Sequence, residues 1–174
     1  CDLDGALLGG TDMTGAKLAG ANLSHTFIRF QTLNGADFTG ARFEDAFFLE
    51  STVVGATFTG AAMPLIGFEN STLRDSDFTG AAMAGAEAKD TNFRNVKFIG
   101  ADLSGAVFTG GVLSGADLTG ANLSGATIDR TTLNGTNFTD ADLTGATITS
   151  TTVTTAARFC RTIMPDGTVN NTGC

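Results

Sequence analysis

The chain has no tryptophan, no tyrosine, one histidine and two prolines among its 174 residues. With phenylalanine as the only aromatic, most of the side chains used to stack on bases are missing. A single histidine leaves nucleophilic catalysis with one candidate base. Ten basic residues face 18 acidic ones, for a net charge of −8, and they are scattered from Lys17 to Arg161 without a run. Binding nucleic acid requires a basic patch to neutralise phosphates, so no nucleic-acid partner is expected. No stretch approaches the ~20 apolar residues of a membrane span and nothing resembles a signal peptide, so no transmembrane segment is expected and the chain reads as soluble, in a processed or truncated form. At roughly 150 residues per domain, the length corresponds to one domain.

What is present is a repeat. Stepping by five from Leu3 to Val153 visits 31 positions without an insertion, and all are apolar, with Ala88 the only small member. Two residues before each, the position is usually Ala, Ser or Thr; two residues after, it is often Gly. A step of five advances about 140° on an α-helix and alternates faces on a strand, so neither element gathers these residues on one side. The chain must turn inward once per five residues around an axis, which makes a solenoid. The number of sides follows from a second period. Thr11, Gln31, Ser51, Ser71, Thr91, Gly111, Thr131 and Thr151 occupy the small inward position at intervals of 20, and seven of the eight are polar. Gly20, Gly40, Gly60, Gly80, Gly100 and Gly120 keep the same interval, so each coil has four sides of five residues.

Ala21-Asn22-Leu23, Ala36-Asp37-Phe38, Ala101-Asp102-Leu103, Ala116-Asp117-Leu118, Ala121-Asn122-Leu123 and Ala141-Asp142-Leu143 share the pattern A-(D/N)-L. In this the sequence resembles the pentapeptide-repeat family over residues 1–157. The resemblance implies an all-β fold, a right-handed quadrilateral parallel β-helix of nearly eight coils, followed by a capping segment at 158–174. At the inter-strand spacing of 4.7–4.9 Å such a rod is roughly 37 Å long. One inward column then reads Leu18, Phe38, Phe58, Phe78, Phe98, Leu118, Phe138, an aromatic stack. Ala88 interrupts the column Phe48, Phe68, Ala88, Phe108, and Ile66 on the same wall is expected to supply compensating volume. The hydroxyl ladder from Thr11 to Thr151 is expected to satisfy backbone groups buried at the corners.

Cys1 falls in an inward small-residue position and is expected to be buried or a remnant of processing. The ends of the rod are too far apart for Cys1 to reach the other two cysteines, because a disulfide needs Cα atoms within about 7 Å. Cys160 and Cys174 are therefore the natural pair. Between them Met164-Pro165-Asp166-Gly167 signals a tight turn, so the tail reads as a hairpin covering the last coil's edge after Arg158 breaks the apolar phase. A cap locked by a disulfide points to an oxidising compartment. The tail also resembles those of pentapeptide-repeat proteins of cyanobacteria and the plastid thylakoid lumen, which implies the thylakoid lumen or, alternatively, a bacterial periplasm.

No constellation of residues supports catalysis. His25 falls at an outward corner, where an exposed ion pair with Asp45 is expected. Asp2/Asp4 and Asp75/Asp77 lie on open walls with nothing to raise a pKa, and Gly110-Gly111 is a corner with no phosphate-loop pattern around it. No cofactor, metal or small-molecule substrate is expected. Thr-x-Thr pairs at Thr57/Thr59, Thr147/Thr149 and Thr152/Thr154 resemble ice-binding arrays, but Arg74 and Arg94 interrupt the wall carrying Thr52, Thr72, Thr132 and Thr152. The family also contains DNA mimics that bind type II topoisomerases. That alternative wants a continuous acidic stripe, whereas the column Lys17, Asp37, Thr57, Asp77, Lys97, Asp117 mixes signs. The residues that stand out are apolar and outward: Leu7, Phe27 and Phe47 in one exterior column, with Phe30, Leu49 and Arg29 beside them. A stacked apolar stripe marks a protein-binding surface, with Pro64-Leu65, where a corner loses its glycine, as a second candidate. The expected function is a non-enzymatic scaffold or protein-interaction module whose partner is a photosynthetic membrane complex presenting a lumenal face.

Overall fold

A computed structural model of the chain describes residues 1–153 and 157–174. Each pentapeptide forms one wall, and walls 20 residues apart pair in parallel. Three of the four ladders are chains of single bridges, starting at Asp2–Asn22–Arg42, Asp12–Thr32–Thr52 and Lys17–Asp37–Thr57. The fourth is a parallel sheet of eight three-residue strands in sequential order: β1 (Leu7–Gly9), β2 (Phe27–Arg29), β3 (Phe47–Leu49), β4 (Gly67–Glu69), β5 (Glu87–Lys89), β6 (Val107–Thr109), β7 (Thr127–Asp129) and β8 (Thr147–Thr149). The fold is thus an all-β solenoid of about seven turns, with no helix among the described residues. Thr154 of the Thr152/Thr154 pair and Ala156 lie outside the described residues.

The central residue of each pentapeptide points inward and stacks on its equivalent in the next coil. Phe38, Phe58, Phe78 and Phe98 are all buried, with ring centroids 4.8, 4.4 and 5.2 Å apart in sequence along the column. Such pairs each add about 0.5–1.5 kcal/mol beyond the burial of their area. Where Ala88 interrupts its own column, Phe78 and Phe93 pack perpendicular to the Phe68 ring, with centroids 6.5 and 5.7 Å from it.

The corners explain the 20-residue hydroxyl period. Three of the four are turns in which the N–H of the small inward residue returns to the carbonyl three residues earlier, as Ala21 N does to Leu18 O at 3.0 Å. The third residue of each turn has positive φ, which favours Gly. After the β-sheet wall this turn bond does not form. At two of these corners the hydroxyl of the next coil accepts instead: Ser51 Oγ takes the Gln31 N–H at 3.2 Å and Ser71 Oγ takes the Ser51 N–H at 3.1 Å. Each hydroxyl also donates to the carbonyl two residues before it, Ser51 to Leu49 O and Ser71 to Glu69 O, both at 3.0 Å. The ladder is structural, as expected. The Asp or Asn of the repeat has its own function: Asp12, Asp37, Asp117 and Asp142 each accept both the N–H and the hydroxyl of the Thr two residues on.

The two ends differ. The rungs reach past residue 157, but their spacing changes from 20 to 21: Thr132 pairs with Thr152, whereas Asn137 pairs with Arg158 and Asp142 with Ile163. One extra residue between Thr152 and Arg158 thus shifts the apolar phase instead of ending it, and Phe159 stacks on Phe138 at 5.3 Å and 3°. The segment 158–174 supplies rungs as well as cover. β9 (Thr162–Ile163) pairs with the last coil on one side and antiparallel with β10 (Val169–Asn170) on the other. Cys160 and Cys174 form a disulfide with Cα atoms 4.8 Å apart. At the opposite end Leu3, Leu8, Met13 and Leu18 are only partly buried. Cys1 is a free, exposed thiol, contrary to the buried position its register implies: among the described residues only the following coil stacks on its own.

Candidate functional site

The strand wall carries the outward apolar residues. Parallel pairing sets Leu7 against Phe27 and Phe27 against Phe47, while Arg29 pairs with Leu49 in the neighbouring outward column. The Phe27 and Phe47 rings lie nearly parallel, 5.8 Å apart at 9°. Leu7 is 65% exposed, Phe27 36% and Phe30 53%; Phe47 and Leu49 are half-buried. The Arg29 guanidinium carbon stands 5.9 Å from the Phe30 ring centroid, and a cavity of about 360 Å³ is lined by Leu7, Gly9, Gly10, Arg29 and Phe30. The sequence-predicted stripe is therefore one contiguous surface.

Backbone conformation sharpens the picture at two corners. Phe30 has φ of 53° and Leu65 of 58°, and both side chains are exposed, Leu65 by 61%. The left-handed region costs an L-residue roughly 1–2 kcal/mol, and exposing a large apolar side chain adds to this. Residues that carry both costs are candidates for function.

Leu65, the separate candidate, joins the stripe. A second cavity of about 300 Å³ is lined by Asp45, Ala46, Phe47, Leu65, Gly67, Gly85 and Glu87. Gly67 continues the column Leu7, Phe27, Phe47, and a Cβ there would overlap the Phe47 ring, which folds down over it. A Cβ on Gly85 would meet Leu65 Cδ2 at 2.9 Å. Sequence reading missed this role for Gly67, although a glycine at a strand position in a column of large apolar residues is the signal for a close approach.

The other chemistry-bearing residues are brought to different places. His25 bonds Asp4 through Nδ1 at 2.8 Å instead of Asp45, because its corner side chain reaches toward the preceding coil. That hydrogen bond, reinforced by the charges of Asp4, Glu44 and Asp45, raises the imidazole above its ordinary pKa. Lys89 is raised likewise by its 2.9 Å bond to Glu69. Arg161 makes two bonds of 2.6 Å to Asp140, whose carboxyl is lowered by that contact. The column Lys17 to Asp117 mixes signs as read, with Lys97 Nζ 3.8 Å from Asp77. Among the described residues no cluster of His, Cys, Asp and Glu could hold a metal, and no helix is long and apolar enough to cross a membrane.

Four walls of pentapeptides stacked every 20 residues define the class of β-solenoid repeat proteins. The sequence matches the family model for pentapeptide repeats in eight copies, over residues 1–29, 28–60, 71–110, 89–125 and 121–156, and the chain belongs to that family. The matches skip 61–70, the stretch holding Leu65 and Gly67. Comparison with curated proteins finds no match. Among solved structures, the trypsin-treated fluoroquinolone resistance protein QnrB1, plasmid-mediated, is similar at 20% identity and a TM-score of 0.54, covering 87% of this chain and 83% of its own. A pentapeptide repeat protein from the Arabidopsis thaliana thylakoid lumen is 35% identical over 53% of this chain and 61% of its own, with a TM-score of 0.42. HetL from the cyanobacterium Nostoc is 23% identical over 97% and 87%, with a TM-score of 0.39. The fold is consistent with a non-enzymatic repeat protein suited to protein interaction.

Proposed function

We propose that this chain is a rigid, non-enzymatic interaction module of an oxidising compartment that docks a protein partner on Leu7, Phe27, Arg29, Phe30, Phe47 and Leu49. The observation that carries the reading is the stacked, outward Phe27–Phe47 pair continuous with exposed Leu7 and Phe30. Aromatic side chains beside an arginine suit a binding hot spot. The Cys160–Cys174 disulfide supports an oxidising compartment, and the tail's resemblance to lumenal members favours the thylakoid lumen over a periplasm. There the fitting partner is a photosynthetic membrane complex with a lumenal face. The topoisomerase-binding alternative needs a run of acidic charge, which the Lys97–Asp77 contact interrupts. Affinity capture from soluble and detergent-solubilised thylakoid fractions, comparing wild type with a Phe27→Ser/Phe47→Ser variant shown to be folded, tests the reading. A partner held by wild type and lost by the variant is the expected result. Equal capture by both removes the stripe, and inhibition of DNA gyrase supercoiling by the purified chain would favour the alternative.

A further inference from the structure

The corner joining Leu65 to the stripe carries a chemistry of its own. Stacking places Asp45, Leu65 and Gly85 in one corner column, and Phe47, Gly67 and Glu87 in the adjacent strand column. Two large apolar side chains therefore lean onto two glycines, with a carboxylate at each of the two opposite corners of the grid. Every charged residue lining the cavity is acidic. Among the described residues neither Asp45 nor Glu87 forms a salt bridge: Lys89 pairs with Glu69, and His25, although it feels the charge of Asp45, bonds Asp4. The two carboxylates stand two coils apart and two residues apart across the wall, roughly 12 Å on the diagonal, which is the length of three to four residues of extended chain.

We propose, resting on the interaction reading above, that this corner takes an extended segment of the partner protein in which two basic residues flank one or two aliphatic ones. The aliphatic side chain fills the cavity between Phe47 and Leu65, and the cations meet Asp45 and Glu87. Charge complementarity fixes the sign of the segment, since an acidic or uncharged one would leave both carboxylates unmatched. The glycines let the Phe47 ring and the Leu65 side chain settle close to the wall, so the partner segment meets these two apolar side chains.

The test is amide chemical-shift mapping of the isotope-labelled chain with three synthetic hexapeptides centred on lysine-leucine-leucine-lysine, glutamate-leucine-leucine-glutamate and lysine-serine-serine-lysine. The first should shift Gly67 and Gly85 saturably, and the other two should not. Asp45→Asn/Glu87→Gln, and separately Leu65→Gly, should each weaken that binding by about fivefold or more at low salt. Binding of the glutamate peptide with equal strength, shifts that map to another wall, or no shift with any peptide overturns the proposal. So do shifts at these glycines that follow protein concentration without peptide, which assign the corner to a second copy. If the Phe27→Ser/Phe47→Ser variant loses its partner while the lysine-leucine peptide leaves Gly67 and Gly85 unmoved, the stripe stands and this chemistry falls.

Discussion

The last coil is covered by a hairpin and closed by a disulfide, whereas the first coil leaves Leu3, Leu8, Met13 and Leu18 partly open and is followed directly by the exposed stripe on β1 to β3. In a solenoid each repeat contacts only its neighbours, so cover at one end does not reach the other. The covalent staple sits beside the rungs whose spacing slips from 20 to 21, where the repeat alone no longer holds the chain in register. The surface proposed for recognition lies toward the opposite end. The slipped rungs and the proposed recognition surface therefore lie on different coils.

The largest contrast is between the middle of the rod and its open end. Phe78→Ala removes a fully buried ring packed between Phe58 and Phe98 and should cost about 3–5 kcal/mol, while Leu3→Ala, already partly in water, should cost no more than about 1 kcal/mol. Denaturant unfolding of the two variants checks this, and equal losses would erase the distinction between coils. Next in size is the staple. Cys160→Ser/Cys174→Ser opens a loop with a sequence separation of 14 and should lose about 3 kcal/mol. Amide exchange should accelerate in β9, β10 and the rungs from Phe138 to Leu143 and stay unchanged in β1 to β3. Faster exchange at both ends would show that the rod unfolds as one unit.

These differences were unequally legible in the sequence. The five-residue apolar period and the 20-residue hydroxyl period encode the walls and their number, because each inward column must be filled and each strand-wall corner must find an acceptor. The Cys160–Cys174 pair followed from reach alone. The place of Cys1 did not, since register assigns a direction and only the neighbouring coil supplies burial. The phase shift before Phe159 was hidden by Arg158, whose side chain looks like an end to the repeat although its backbone is a rung. His25 was placed at the right corner with the wrong partner, because a period of 20 cannot tell a neighbour above from one below. The stripe was visible as three apolar residues in register, but the cover laid over Gly67 and Gly85 depends on which way the Phe47 and Leu65 side chains lean.

A smaller contrast separates covered hydroxyls from wet ones. Ser71→Ala leaves the buried Ser51 N–H without its acceptor and should cost about 1–3 kcal/mol. Thr11→Ala, in the exposed first coil, breaks only a bond to Gln31 that water can replace and should be nearly neutral in the same melt. Smaller again, and opposite in sign, is the gain from removing strain. Phe30→Gly relieves a left-handed phenylalanine at a corner where Gly10, one coil earlier, already holds the same conformation, and should stabilise by about 1 kcal/mol while weakening partner capture. A loss of stability would mean that the Phe30 side chain supports the fold.

The finest difference between the ends is their response to pH, because each carries an exposed ionic contact of opposite kind. At the open end the Asp4 bond raises His25 above its ordinary value, so its contribution is present below about pH 6.5 and is lost as pH rises through the folded value. At the stapled end the Arg161 bonds lower Asp140, so that contribution is present above the ordinary carboxylate range and is lost as pH falls through the folded value. Amide exchange near His25 should therefore quicken, beyond its intrinsic pH dependence, from mildly acidic to mildly alkaline solution, and near Arg161 only in strong acid. His25→Gln should abolish the first change and leave the second intact. If both ends loosened together on either side of neutrality, the coils between them would have to be coupled beyond the nearest-neighbour contacts of a solenoid.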